Sequence, residues 1–349
     1  MKTVTVPFFI SHQGCPHTCV FCDQRRISGA DGEIPSAGEI LSKIDVWRSK
    51  SGARPLDVAF FGGTFTALSH NIQAELLQPL QPLLARGTLR SVRISTRPDY
   101  IDEKHVAWLT EMGVGTIELG VQSLDDEVLA ASGRGHLAVD SLEAIQCIKK
   151  VGVKVGAQIM PGLPGDSPLT SLESLDKVIS AGADFIRIYP TVVLKGTELA
   201  QRYVKSVFSP LTLERGINLC KILLQRAMRA GIPVIRIGLQ ADEGLSSETV
   251  IAGCWHPALG QLVRSQLYAD LIDRFVAPEQ SVTVYCNPAR HSDVVGIKQS
   301  NILKQAERGV RMHVVHDSSI VKEEIKVTNE GSSTKYSIIN DINYSISEV

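Results

Sequence analysis

The sequence predicts an α/β protein, a partial (β/α)6 barrel followed by a small C-terminal α/β domain. Two observations carry this. Between residues 4 and 190, short runs rich in Val, Ile and Phe alternate with amphipathic stretches of helical length, the pattern of parallel strands joined by right-handed crossovers. Nearly every apolar run is also followed by a polar or glycine-rich segment. Six such loops converging on one mouth favour a barrel over an open sheet, which gathers its functional groups at one switch point.

The expected strands are 4–10, 56–61, 92–96, 116–121, 153–159 and 185–189, with helices at 36–47, 71–84, 102–112, 139–151 and 169–181. The strand runs show little polar alternation, which suits a sheet covered on at least one face. Past Tyr189 the rhythm changes to a long helix at 209–230, one more strand at 233–239 and a helix at 257–276. A strand at 281–286, short helices about Gly296 and strands at 310–315 and 320–327 read as a module of their own. The expected division is therefore a core barrel at 1–200, a helical and strand extension of it at 201–278, the small α/β module at 279–327, and a polar tail at 328–349 that is a loose strand or disordered.

Composition narrows the function. The chain has 349 residues, 44% hydrophobic and 21% charged, enough for a large core. A formal net charge of −1 lacks the basic footprint of a nucleic-acid-binding chain, so any such surface is local. Neither a signal peptide nor an apolar stretch of spanning length is visible, so no membrane partner is expected. The cysteines number seven; Cys147, Cys220, Cys254 and Cys286 are scattered, which argues against a disulfide framework and for a reducing, cytoplasmic setting.

The other three cysteines stand in Gln13-Gly14-Cys15-Pro16-His17-Thr18-Cys19-Val20-Phe21-Cys22-Asp23. Three thiolates on one short loop can hold three irons of a [4Fe–4S] cluster and leave the fourth open, the mark of a catalytic rather than a structural metal site. The competing reading is structural zinc with His12 or His17 as fourth ligand, although no second cysteine pair exists.

This loop resembles the cluster motif of the radical S-adenosylmethionine (radical SAM) superfamily, with Phe21 at its aromatic position. A series of further motifs follows in order: Phe61-Gly62-Gly63-Thr64-Phe65, Thr96-Arg97-Pro98-Asp99-Tyr100, Glu118-Leu119-Gly120-Val121-Gln122-Ser123, Arg134-Gly135-His136, Met160-Pro161-Gly162-Leu163-Pro164 and Tyr189-Pro190-Thr191. Over residues 5–264 the series is similar to the radical SAM half of the Elongator catalytic subunit, which modifies the wobble uridine of tRNA. The first cysteine gap is narrower here than in that subunit. About 85 residues follow Arg264, without an Arg/Gly-rich loop for acetyl-CoA.

The resemblance implies a partial (β/α)6 radical SAM barrel in which Cys15, Cys19 and Cys22 hold the cluster. The open iron would take the amino and carboxylate groups of S-adenosylmethionine (SAM). Reduction would cleave the cofactor to a 5′-deoxyadenosyl radical, fed by a low-potential electron donor of flavodoxin or ferredoxin type. By resemblance Gly62, Gly63 and Thr64 contact the methionine amino group, and Ser95 and Arg97 lie near ribose or carboxylate, with an Arg97–Asp99 salt bridge as the alternative. Gln122 and Ser123 would bond ribose or substrate, Arg134 the SAM carboxylate or a substrate phosphate, and the Met160–Gly162 segment adenine. Tyr189 and Lys195 flank the last loop, and Arg25 and Arg26 would steer an anionic substrate or the electron donor.

The run 294–302 faintly resembles the G-x-x-G turn of a KH domain, with Gln299 at the second glycine. Around it Arg290, Lys298, Lys304, Arg308 and Arg311 outnumber Asp293 and Glu307, compatible with RNA contact; a simple cap on the barrel is the other reading. The expected substrate is tRNA or another RNA. The alternatives are a small molecule, as in oxygen-independent coproporphyrinogen III oxidase, or a non-catalytic, cluster-containing RNA-binding protein.

Overall fold

The computed structural model describes residues 3–29, 32–52, 54–239, 245–246, 248–329 and 332–346. The first six strands are β1 (Val4–Phe9), β2 (Leu56–Phe61), β3 (Leu89–Thr96), β4 (Val114–Gln122), β5 (Lys154–Ile159) and β6 (Phe185–Ile188). β7 (Val192–Leu194) then leaves the sheet, β8 (Val234–Ile237) returns beside β6, and β9 (Val250–Gly253) pairs antiparallel with β7. The sheet order is β1-β2-β3-β4-β5-β6-β8 and every neighbour is parallel, so the half-barrel has seven strands and runs on past residue 200.

Helices cover its convex side. In chain order the helices up to residue 275 are α1 (Gln24–Ser28), α2 (Ala37–Ser51), α3 (His70–Leu77), α4 (Gln81–Ala85), α5 (Glu103–Glu111), α6 (Asp126–Ala131), α7 (Ala138–Lys150), α8 (Pro168–Ser180), α9 (Glu198–Val204), α10 (Leu213–Arg229) and α11 (Leu259–Phe275), of which α1 and α9 lie by the cysteine loop instead. Side-chain caps fix several starts: Ser36 and Glu39 form a reciprocal box at α2, and Ser167 caps α8 with Pro168 at its first position. The single helix expected at 71–84 is broken into α3, a 3-10 turn and α4, because Pro79 and Pro82 supply no backbone donor.

The strands do alternate, contrary to expectation. Val92, Ile94, Ile117, Leu119, Val155, Ile186, Ile188 and Ile237 are buried in the helix-covered core. The residues between them, Arg93, Ser95, Glu118, Gln158, Arg187 and Arg236, belong to the opposite, concave face, since successive strand side chains point to opposite sides. Charged side chains flanked by isoleucine are easily absorbed into an apolar run when only composition is weighed.

The C-terminal module contains β10 (Ser281–Cys286), α12 (His291–Val295), α13 (Ser300–Glu307), β11 (Arg311–His316), β12 (Glu324–Asn329) and β13 (Ser332–Ser337), in sheet order β11-β10-β12-β13. The buried amide of Asn301 donates to the carbonyls of Ser265 and Val294, both at 3.1 Å, and so ties α13 to α11 and α12. The basic excess of this module is largely neutralised: Asp273 on α11 takes Lys304 at 2.6 Å and Arg308 at 3.0 Å, while Asp293 takes Arg290 at 3.3 Å. Asp273 lies outside the stretch whose charges were counted, so sequence order hid the pairing.

The tail is not loose. β13 pairs antiparallel with β12 over six residue pairs, and Ile338 and Ile342 beyond it are buried. The Gln225 amide on α10 donates to both their carbonyls, at 2.7 and 2.9 Å. A Ser-rich strand whose apolar anchors come only after it shows no period of its own. Residues 347–349 lie outside the described residues. We predict that Ile342→Ala costs about 2–5 kcal/mol, seen as a lower thermal unfolding midpoint. Val321→Ala, at a half-exposed position, should change it by little.

Candidate functional site

The cysteine loop leaves β1 and is held by the loop after β2, backbone against backbone. Thr64 N–H donates to Gln13 O at 2.8 Å. A Cβ on Gly63 would fall 2.5 Å from both Ile10 O and Gln13 O, and one on Gly14, at φ +71°, would fall 2.3 Å from Thr64 O. Neither position accepts a side chain without separating the loops. Gly62 turns the chain there at φ +87°. Thr64 is buried with its hydroxyl 3.4 Å from Cys15 Sγ.

The underside of the loop is apolar. Phe21 packs with Cys19, Val20, Val128, Leu163 and Leu199, which explains an aromatic residue before the last cysteine. Val20 O accepts the Leu199 N–H of α9 at 2.8 Å, a clamp that the sequence did not reveal. The three thiols converge: Cys22 is pushed up to about 12, first by burial and then by Cys19 and Cys15. Binding a metal ion would remove the Cys22 proton, because the ligand to a metal is the thiolate.

The zinc alternative loses its fourth ligand. His12 Nε2 accepts the Gln24 N–H at 2.9 Å, and His17 Nε2 lies 3.0 Å from Arg134 O. Among the described residues no set of three His, Cys, Asp or Glu has the geometry of a single metal ion. Three thiols without a fourth protein donor fit a cluster in which each thiolate takes its own iron.

The remaining expected residues surround this loop at the strand C-termini, with two corrections. Arg97 is buried and its fork is closed on Asp99, Nε to Oδ1 at 2.9 Å and Nη2 to Oδ2 at 2.8 Å. The salt bridge is thus what forms, and a bidentate grip on a cofactor carboxylate is not open to it. Arg134 donates Nη1 to Cys19 Sγ at 3.3 Å and Nη2 to Gly120 O at 2.6 Å, so its guanidinium faces a cluster ligand. Its Nε is buried without a hydrogen-bond partner. Gln122 sits at φ +68° where the β4–β5 register shifts, and Gln158 donates to its Oε1 at 3.1 Å. A non-glycine residue held there is strained, and strain of this kind collects at functional sites.

Met160 N–H donates to Gln122 O at 2.8 Å, and Gly162 N–H to Asp166 Oδ2 at 2.7 Å. Gly162 has φ +83° and lies against Leu211. Ser95 is half-buried at the end of β3, and its neighbour Thr96 bonds Thr66 hydroxyl to hydroxyl at 2.5 Å. Beside Cys19 and Cys22 opens a cavity of about 890 Å³, walled by Thr18, Arg25, Arg26 and, across from them, Thr197 and Glu198. Arg26 is engaged with the carbonyl of Lys195, which leaves Arg25 as the better placed of the two to steer a partner. The residues missed at the sequence level are Arg93, Glu118 and Arg187 on the concave face.

A parallel half-barrel with an open cluster site at its strand C-termini defines a cluster-dependent enzyme. Residues 9–178 match the model of the Radical SAM superfamily and residues 183–269 that of the Radical_SAM C-terminal domain, and the chain belongs to the radical SAM superfamily. It is an enzyme of a superfamily that uses a [4Fe–4S] cluster and SAM. It is similar to a tRNA uridine(34) acetyltransferase of Methanocaldococcus jannaschii, 27% identical over 303 residues, 74% of this chain and 54% of the relative. The protein of the same name from Methanocaldococcus infernus is 38% identical over 177 residues, 49% of this chain and 32% of that one. This chain thus spans about half the length of the first relative and a third of the second. Among solved structures, archaeal Methanocaldococcus infernus Elp3 with an N-terminal deletion shares the fold, at a TM-score of 0.60 and 23% identity over 77% of this chain and 63% of that one.

Two predictions follow from this geometry. Gly63→Ala should keep the far-ultraviolet circular dichroism of the wild type yet lose most of its iron after anaerobic reconstitution, measured by iron and sulfide analysis. His136 is pulled down to about 3, first by burial and then by Arg134. The unfolded chain takes this proton near 6.5, so stability is complete above 6.5 and falls as the pH drops from there towards 3. Denaturant titrations should show a shallower acid loss in His136→Gln than in the wild type across that window.

Proposed function

We propose that this radical SAM enzyme modifies tRNA in the cytoplasm, drawing electrons from a flavodoxin or ferredoxin. The observation behind this reading is the similarity to the archaeal tRNA uridine(34) acetyltransferase over 74% of this chain. A setting that keeps thiols reduced suits the four cysteines outside the cluster loop, all of them free.

Each residue then has a task. Cys15, Cys19 and Cys22 hold the cluster, and Phe21 anchors their loop. The backbone of Gly62, Gly63 and Thr64 would hold the cofactor's amino end, Ser95 and Gln122 would bond its ribose, and Met160 and Gly162 would hold its adenine. Arg134 neutralises charge between the Cys19 thiolate and the cofactor carboxylate, with its orphan Nε as the remaining donor. When bound, the cluster and SAM supply reductive cleavage of a sulfonium bond; the protein orients the parts and keeps water out.

The test pairs two measurements. Reconstituted wild type with dithionite and SAM should release 5′-deoxyadenosine, and Cys19→Ala should release none. Mass spectrometry of tRNA nucleosides from deletion and wild-type cells should show one modified nucleoside missing from the deletion. Unchanged nucleosides would remove the tRNA reading and leave the radical chemistry standing.

A further inference from the structure

The concave face of the half-barrel carries charges that the cluster and cofactor loops do not use. Glu118 on β4 takes Arg93 of β3 on Oε1 at 2.5 Å and Arg187 of β6 on both oxygens, with Nε 2.5 Å from Oε2 and Nη2 donating to Oε1 at 3.2 Å. Arg187 Nη1 also donates to Tyr189 Oη at 2.8 Å. Each guanidinium lies over an aromatic ring, Arg93 over Phe185 at 5.5 Å and Arg187 over Phe61 at 5.7 Å. Gly156 makes room for this arrangement, since a Cβ there would fall 2.2 Å from the Phe185 ring.

The set is not neutral. One carboxylate faces two guanidiniums, and a third arrives on β8, where Arg236 is the register partner of Arg187 on the neighbouring strand. Like charges side by side on adjacent strands destabilise a sheet. Arg236 donates Nε to Gly238 O at 3.3 Å and has no carboxylate within salt-bridge reach among the described residues. Arg187 Nε, although 2.5 Å from Glu118, makes no aligned hydrogen bond. Arg93 and Arg187 keep 19% and 20% of their side-chain surface open, so the charge is reachable from the lumen.

We propose that this part of the concave face is an anion site that anchors a carboxylate or phosphate of the substrate on Arg187 and Arg236, with Glu118 holding the Arg187 fork in place. The register runs Ser95 to Glu118, Glu118 to Gly156 and Gly156 to Phe185, so Arg187 stands two residues nearer the strand C-termini than that row. An anion on Arg187 and Arg236 thus lies at the edge of the sheet opposite β1 and its cysteine loop, and the carbon to be attacked stands several bonds away from it. The proposal rests on the lumen geometry and holds whether or not the substrate is RNA.

The test is calorimetric titration of the reconstituted, SAM-loaded protein, at constant ionic strength, with inorganic phosphate in one arm and succinate in another. One saturable site per chain is expected for at least one of them; the better-bound anion identifies a phosphate- or a carboxylate-bearing substrate. Arg236→Gln should weaken that binding at least tenfold and Arg236→Lys by less, with the cluster absorbance unchanged in both. Lys298→Gln, a change in the C-terminal module, should bind as the wild type does. If neither anion saturates, or if Arg236→Gln binds as tightly as wild type, the site does not exist. Arg236→Lys carries the comparison should the glutamine variant fail to fold.

Discussion

The site depends on two loops that touch through their main chains. Gly14 and Gly63 let the cysteine loop and the loop after β2 close to hydrogen-bonding distance, with Gln13 O receiving Thr64 N–H at 2.8 Å. Because the contact is backbone to backbone, no rotamer can relax it. The positions of the three thiols are therefore set by the ends of two adjacent strands, and the strands by a sheet whose convex side is packed with aliphatic side chains. A cluster site needs this stiffness, since the irons accept only a narrow spread of sulfur positions.

Inside the half-barrel the balance is electrostatic. Burying Glu118 alone would be costly, and two guanidiniums over-compensate it. Stacking on Phe61 and Phe185 spreads the cationic charge over ring faces without further acids. Near the cluster the same economy recurs: Arg134 serves a thiol and a carbonyl at once, and the neighbouring His136 is kept neutral by burial.

Much of this was readable in the chain. Leu56–Phe61 and Ser281–Cys286 are strands with the limits their apolar runs suggest. The cysteine spacing and the glycines after β2 announced the site, because cluster ligation and close backbone approach leave few choices of residue. What stayed hidden was long-range. Whether Arg97 meets Asp99 or a ligand is decided by rotamers, not spacing. That Asp273 would silence Lys304 and Arg308 depends on how α11 and α13 pack. Arg93, Glu118, Arg187 and Arg236 were visible as charged letters in apolar strands, but only the curl of the sheet makes them neighbours. Gln225 reaching Ile338 and Ile342 joins positions more than a hundred residues apart, beyond any local pattern.

The Leu199 N–H bond to Val20 O gives the chain an unexpected economy of parts. Although all three thiols of the cysteine loop are encoded within the first 22 residues, the peptide that shapes them arrives only after β6 and β7 have been made. A nascent chain must therefore emerge almost as far as residue 200 before its metal-binding loop is complete, which separates synthesis of the ligands from the moment they can accept their cargo.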